Sequence, residues 1–372
     1  MASRIVIAGG GTAGHVIPGL ALARILEARG HDVSFVGTAH GIEARLIPGA
    51  GFEFHEIPAR PFVRKVSWGA LSAPLIALRA VAAARGLVRD SEVVVGMGGY
   101  VSVPAVLAAR REKVPAVLHE QNAIPGLANR LLARRAAAVA VSFPDAGSHI
   151  RRRTEVVVTG NPIRDTIAGA PSERERLAKE AQKELELEPD RRTVVVFGGS
   201  QGALHINRAT VGACRILGDR DDVQILLLTG RAHHAMIDEA LPRRRPLQVR
   251  SLPFLDRMEL AYGVADLVVS RAGATTVAEI TACGVPSLLV PYPYATGRHQ
   301  EANARAVQRA GAASVLLDDQ LSPEELADRI VSLVDHEERL RSMAERARAF
   351  GRPDASERLA ELVIGVGRGG GA

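Results

Sequence analysis

The sequence is poor in several things, and each shortage excludes a class of protein. Two cysteines in 372 residues, Cys214 and Cys283, lack paired or CxxC spacing. They support neither a disulfide framework nor a structural zinc site, and they point to a reducing compartment. The longest apolar stretch, Trp68 to Leu78, stops at Arg79, well short of the ~20 residues that span a bilayer. The opening Ile5-Val6-Ile7-Ala8 is too short for a signal peptide and reads as a first strand, so the chain is expected to begin inside its fold. Aromatics make up 3% of the residues, and without a stacking platform or binding motif nucleic acid is a poor partner.

The composition that remains is that of a globular protein, 47% hydrophobic and 24% charged, long enough for two domains of roughly 100–200 residues. Residues 1–160 hold 19 basic and 11 acidic side chains, whereas the rest hold 28 and 30. A basic front half suggests an anionic partner, either a phosphate ligand or an acidic membrane surface.

Apolar runs alternate with helical patterns: Arg4 to Ala8, a helix near Pro18 to Arg29, then Val33 to Val36, Val93 to Val95 and Val114 to Leu118. A second series comprises Thr193 to Phe197, Val223 to Leu228, Leu247 to Val249, Leu267 to Val269 and Ser287 to Val290. Such alternation predicts an α/β protein with two Rossmann-like halves. Gly160-Asn161-Pro162 marks the hinge, Ser172 to Arg192 reads as a solvated helix or linker, and the glycine-rich end after Gly365 as a frayed tail.

Three strand-to-helix turns are rich in glycine: Gly9 to His15, Gly96 to Ser102 and Gly198 to Ala203. Backbone amides at a helix start form an anion site, and together the turns suggest two phosphorylated ligands facing each other across a cleft. The first turn satisfies GxGxxG, but the second strand ends in Gly37-Thr38-Ala39 and lacks the acidic residue a dinucleotide ribose requires. Gly273 to Glu279 looks like a further helix start. There Glu279 either closes a capping box with Thr276 or accepts the hydroxyls of a ribose.

Taken in order, Gly10-Gly11-Thr12-Ala13-Gly14-His15, Gly96-Met97-Gly98-Gly99-Tyr100-Val101-Ser102, His119-Glu120-Gln121-Asn122, Gly160-Asn161-Pro162-Ile163-Arg164, Gly198-Gly199-Ser200-Gln201-Gly202-Ala203 and His299-Gln300-Glu301-Ala302-Asn303-Ala304 resemble the MurG family. The resemblance extends over almost the whole chain. It implies a GT-B fold, with two Rossmann-like domains and a donor cleft between them. Residues 1–160, with a returning segment at about 351–365, would form the acceptor and membrane-associating domain, and residues 161–350 the donor domain. The implied reaction is inverting transfer of GlcNAc from UDP-GlcNAc to the C4 hydroxyl of MurNAc in lipid I (undecaprenyl-pyrophosphoryl-MurNAc-pentapeptide), giving lipid II and UDP.

Carried over by position, the donor contacts fall on Thr12, Ala13 and Gly14, on Asn122, Arg164, Ser200 and Leu255, on Ala274, Thr275, Thr276, Val277, Ala278 and Glu279, and on Gln300. Leu255 stands where some relatives have isoleucine and would serve through its backbone. His15, with an ordinary pKa of about 6.5, is the expected general base, and Glu120 is its rival. The resemblance implies no metal site and no cofactor. It also implies a peripheral location at the cytoplasmic face of the bacterial inner membrane, with other cell-wall synthesis and division proteins as further partners.

Leu71, Leu75, Leu78 and Ala82 share one helical face near Trp68, Arg64, Lys65, Arg79, Arg85 and Arg89. This face either meets an anionic membrane surface or belongs to a crossover helix packed on the core. Competing functions are another GT-B enzyme, such as a glycolipid glycosyltransferase or a UDP-sugar epimerase, and a non-catalytic UDP-sugar-binding protein.

Overall fold

A computed structural model describes residues 3–60, 68–150, 154–199, 202–243 and 245–369, with residues 68–75 as backbone alone. The chain divides into two units, Met1–Arg164 with Asp354–Ala372, and Asp165–Pro353.

Among the described residues of the first unit, seven strands form one sheet: β1 (Arg4–Ala8), β2 (Asp32–Gly37), β3 (Glu53–Glu56), β4 (Val93–Gly96), β5 (Ala116–Glu120), β6 (Ala138–Val141) and β7 (Glu155–Val158). All pairings are parallel. A parallel sheet covered on both faces needs apolar side chains at successive positions rather than alternate ones, and this is why its central strands are Val/Ile runs. One face packs Ile5, Ile7 and Val95 against Leu22 and Leu26 of the Ala13–Ala28 helix. Val6 and Val94 point the other way, onto Val81 and Val88 of the Trp68–Val88 helix and Ala105 of the Gly99–Glu112 helix. The returning Ala355–Gly369 helix belongs to this unit, with Leu359 and Val363 fully buried in the first of these cores. Each such side chain contributes roughly 1.5–3 kcal/mol. The frayed tail expected after Gly365 is instead helical through Gly369, because Ile364 and Val366 also pack on that core.

The second unit has a six-stranded parallel sheet among its described residues: β8 (Arg192–Phe197), β9 (Val223–Leu228), β10 (Gln248–Leu252), β11 (Leu267–Ser270), β12 (Ser287–Leu289) and β13 (Ala313–Val315). The Pro323–Val334 helix starts with its own cap, the Ser322 hydroxyl accepting the Glu325 amide at 3.1 Å. Part of the charge-dense stretch is a docked helix, Arg174–Glu184, whose Leu177 and Ala181 are buried. Gly263, on the Met258–Val264 helix, has no side chain to obstruct Leu177.

Strand order places the sites. The first sheet runs β3-β2-β1-β4-β5-β6-β7 and the second β10-β9-β8-β11-β12-β13. Chain direction across each sheet therefore reverses between β1 and β4, and between β8 and β11. Ligands of open α/β sheets bind beyond the carboxyl ends of strands at such a reversal. The glycine turns after β1, β4 and β8, and the turn after β11, occupy those positions.

Candidate active site

In the first unit, Gly11 has φ +81° and leads into the Ala13–Ala28 helix, so the helix starts five residues earlier than Pro18 suggested. Thr12 is its N-cap, but the hydroxyl makes no capping bond and instead lies 3.1 Å from His15 Nδ1. Ala13 and Gly14 are the first two helical residues, whose amides have no intrahelical partner. His15 is half-buried, and its Nδ1 donates to the Gly10 carbonyl at 3.1 Å. The turn after β4 lies against the imidazole. A Cβ at Gly98 would stand 3.2 Å from His15 Cδ2, and one at Gly99 3.3 Å from Nδ1. Both have positive φ, +93° and +73°, so backbone conformation and close approach both require glycine there.

His119 is fully buried at the end of β5. Its Nε2–H donates to the Gly160 carbonyl at 3.0 Å and its Nδ1 accepts from Gln121 Nε2 at 3.1 Å. Gln121 Nε2 also donates to the Met97 carbonyl at 2.7 Å. Burial pushes the His119 pKa down to about 4, with the nearby His15 charge acting in the same direction. Glu120 next to it is buried and heavily engaged. One oxygen accepts from the Asn122 amide at 3.0 Å and its side chain at 3.4 Å, and the other from Asn129 Nδ2 at 2.8 Å and the Gly126 amide at 3.0 Å. Arg164, partly buried, is the last residue of the first unit before its returning helix.

In the second unit Ser200 lies outside the described residues. Around it, Gly199 and Gly202 have φ +94° and +75°, and a side chain at Gly202 would overlap the Thr229 carbonyl. The Ala274–Ala282 helix starts from Gly273, which has no side chain with which to cap. Ala274, Thr275 and Thr276 fill its first turn, partly exposed along with Ala278, while the Val277 side chain is in the core. Thr276 is thus the third helical residue and not the N-cap, so the capping box with Glu279 does not form. Glu279 is buried and accepts the Tyr262 hydroxyl at 2.9 Å instead. Leu255 is half-buried in the loop between β10 and the Met258–Val264 helix. Gln300, in the first turn of the His299–Arg309 helix, accepts the Ala272 and Tyr292 amides on Oε1 at 3.2 and 3.0 Å. Its amide hydrogens are the remaining donors for a ligand.

Residues 5–141 match the glycosyltransferase family 28 N-terminal domain and residues 193–359 the glycosyltransferase family 28 C-terminal domain. A UDP-N-acetylglucosamine--N-acetylmuramyl-(pentapeptide) pyrophosphoryl-undecaprenol N-acetylglucosamine transferase from Halothermothrix orenii is 41% identical, with 98% of this chain and all of that protein covered. A protein of the same name from Acetivibrio thermocellus is also 41% identical, over 97% of each. The chain belongs to the MurG family. The crystal structure of Acinetobacter baumannii MurG is 30% identical and superposes with a TM-score of 0.79, covering 98% of this chain and 99% of that one. The fold is accordingly the GT-B type.

Several side chains that brace these turns carry no motif in the sequence. Glu43, fully buried in the Glu43–Gly49 helix, accepts the Gly11 amide at 2.9 Å, the Thr38 amide at 3.2 Å and the Thr38 hydroxyl at 2.7 Å. Burial alone would raise its pKa, but these donors overcome the burial and hold it below the ordinary value. Tyr262 behind Glu279 is another. Arg271 is a third: it donates to the Val290 and Pro291 carbonyls at 3.1 and 3.3 Å and pairs with Asp318, tying together loops that follow β11, β12 and β13. The sequence signal for Glu43 was Gly10, Gly37 and Gly41, each too close to that carboxylate side chain to carry a side chain of its own. Both cysteines are buried, and burial pushes each thiol up to about 12.

Proposed function

We propose that this chain transfers GlcNAc from UDP-GlcNAc to the C4 hydroxyl of the MurNAc unit of lipid I, with inversion, releasing lipid II and UDP. The observation that carries this is the 41% identity, over essentially the full length, to transferases of that name, with both glycosyltransferase halves present. The second unit holds the donor. The amides opening the Ala274–Ala282 helix and the turn around Ser200 receive the pyrophosphate, with the fork of Arg164 as a further phosphate donor. Glu279 accepts the ribose hydroxyls, the backbone of Leu255 contacts uracil, and Gln300 and Asn122 bind sugar hydroxyls. Thr12, Ala13 and Gly14 bring the first glycine turn to the donor.

His15 takes the proton. With Nδ1–H directed at the Gly10 carbonyl, and the Thr12 hydroxyl equally near at 3.1 Å, the neutral imidazole carries its lone pair on Nε2. As the C4 oxygen attacks the anomeric carbon, its proton passes to Nε2, and the bond to UDP breaks with the electron pair leaving on the diphosphate. The donors facing that growing charge stabilise the transition state more than the ground state. Glu120, held by four donors, orders the loop that presents Asn122 and does not compete for the proton.

The lipid-linked acceptor brings the first unit to an anionic membrane surface. In this reading the contact is peripheral and its side is the cytoplasmic face, where a UDP-sugar donor is available; among the described residues no helix is long and apolar enough to cross a bilayer. Supporting this, Leu78 is 60% exposed and Ala82 and Arg79 are exposed with it, while Val81, Ala84 and Val88 take the core side of the same helix. Arg85 and Arg89 pair with Glu112. The side chains of Trp68, Leu71 and Leu75, with Arg64 and Lys65, lie outside the described residues. UDP release measured with and without a short-chain lipid I analogue tests the reaction. Strict dependence on the acceptor is expected, and release that ignores the acceptor would refute the assignment.

A further inference from the structure

The Gly10 carbonyl and the Gly11 amide are two ends of one peptide group. The carbonyl end accepts His15 Nδ1–H at 3.1 Å, and the amide end donates to Glu43 Oε2 at 2.9 Å. We propose that Glu43 is the positioning residue of the general base, acting on His15 through the Gly10–Gly11 peptide as a buried carboxylate acts on a histidine it bonds directly. The inference rests on the reading of His15 as the base.

The chain of bonds has a definite direction. Carboxylate to N–H, then C=O to Nδ1–H, aligns each dipole with the next, and hydrogen bonds in series polarise one another. A carboxylate at the far end favours positive charge on the imidazole and fixes Nδ1–H as the neutral tautomer, leaving Nε2 to receive a proton. Glu43 is itself fixed. Its other oxygen is held by both the amide and the hydroxyl of Thr38, just after β2. The fold pays for this buried charge in side chains forgone, since Gly10, Gly37 and Gly41 all crowd Glu43. A loop built only to bind phosphate would keep the Gly11 amide for the ligand; here a carboxylate of the chain occupies it. Among the described residues, His119 from β5 and Tyr100 from the start of the Gly99–Glu112 helix, which lies over Gly11, also face His15 or its turn.

Glu43→Gln keeps the size and removes the charge. Expected are a loss in kcat of about 10- to 100-fold, by analogy with loss of the hydrogen-bond partner behind a metal-bound histidine, and an unchanged KM for UDP-GlcNAc. The acidic limb of the kcat/KM profile should move to lower pH, and histidine-selective NMR titration should show the His15 pKa falling with it. A purely structural role for Glu43 would not move that limb. Normal kcat with an unmoved limb overturns the proposal. Wild-type protein gives a second test that needs no variant: neutral His15 must be the Nδ1–H tautomer, and an Nε2–H tautomer overturns the proposal even if the variant fails to fold. His15→Ala separates the two levels. If it turns over normally, the base assignment itself fails. If it is inactive while Glu43→Gln behaves as wild type, only the role of Glu43 is lost.

Discussion

Acidification should destabilise the first unit through His119. The ring is fully buried, donates from Nε2 to Gly160 and accepts at Nδ1 from Gln121, so an added proton on Nδ1 would meet a donor in a site without solvent. Burial holds its pKa at about 4 in the folded protein, against about 6.5 in an unfolded chain. Between those values the unfolded state binds a proton that the folded state refuses, so stability is complete above about pH 6.5 and is lost as pH falls toward 4. Linkage with these two values gives a loss of about 2 kcal/mol between pH 7.5 and pH 5. Most carboxylates titrate below this window, and comparison with His119→Gln separates His119 from the other histidines of the first unit. Trp68, the chain's single tryptophan, lies in the first unit, so urea unfolding followed by its fluorescence and by circular dichroism places the signal in that unit. His119→Gln, with an amide in place of the imidazole, should lower stability at pH 7.5 but flatten this dependence. An equal loss on acidification in wild type and variant would refute the reasoning.

Other consequences follow from the same geometry. Tyr262→Phe removes a charge-assisted hydrogen bond from buried Glu279, worth about 1.5–3 kcal/mol of stability. It should raise the donor KM with little change in kcat, and an unaltered KM would detach Glu279 from the donor. His15→Ala should reduce kcat by about 10²–10⁴-fold while calorimetric affinity for UDP-GlcNAc is kept; near-normal turnover would exclude His15 as the base. Leu78→Glu should weaken sedimentation with anionic phospholipid vesicles and spare turnover of a water-soluble acceptor, whereas unchanged sedimentation would place the membrane contact elsewhere.

The sequence revealed the sheets where burial on both faces demanded uninterrupted Val/Ile runs. β1 and β9 fall at the residues read from the pattern, and Leu267 and Ser287 open β11 and β12 as expected. It did not reveal β3, Glu-Phe-His-Glu, whose charges suit an exposed sheet edge, nor β6, Ala-Val-Ala-Val, nor three-residue β13. β7, the other edge of the first sheet, follows an arginine run and went unread as well. Pro18 resembled a first-turn proline and concealed a helix that starts inside the glycine turn at Ala13. In the site, the glycine turns were legible because strand, turn and helix are adjacent in sequence. Glu43 and Tyr262 were not, because each acts on a residue 32 or 17 positions away, and only folding brings those pairs together. The Thr276/Glu279 spacing was legible but ambiguous, until the helix start at Gly273 excluded the capping box.

The most direct test is transfer of radiolabelled GlcNAc from UDP-GlcNAc to a short-chain lipid I analogue, with the product identified by mass and by the configuration of its new linkage. One GlcNAc added to MurNAc, with inversion at the anomeric carbon and one UDP per transfer, is the expected result. Binding of UDP-GlcNAc without label reaching that acceptor, or conversion of the donor to another UDP-sugar, would contradict it.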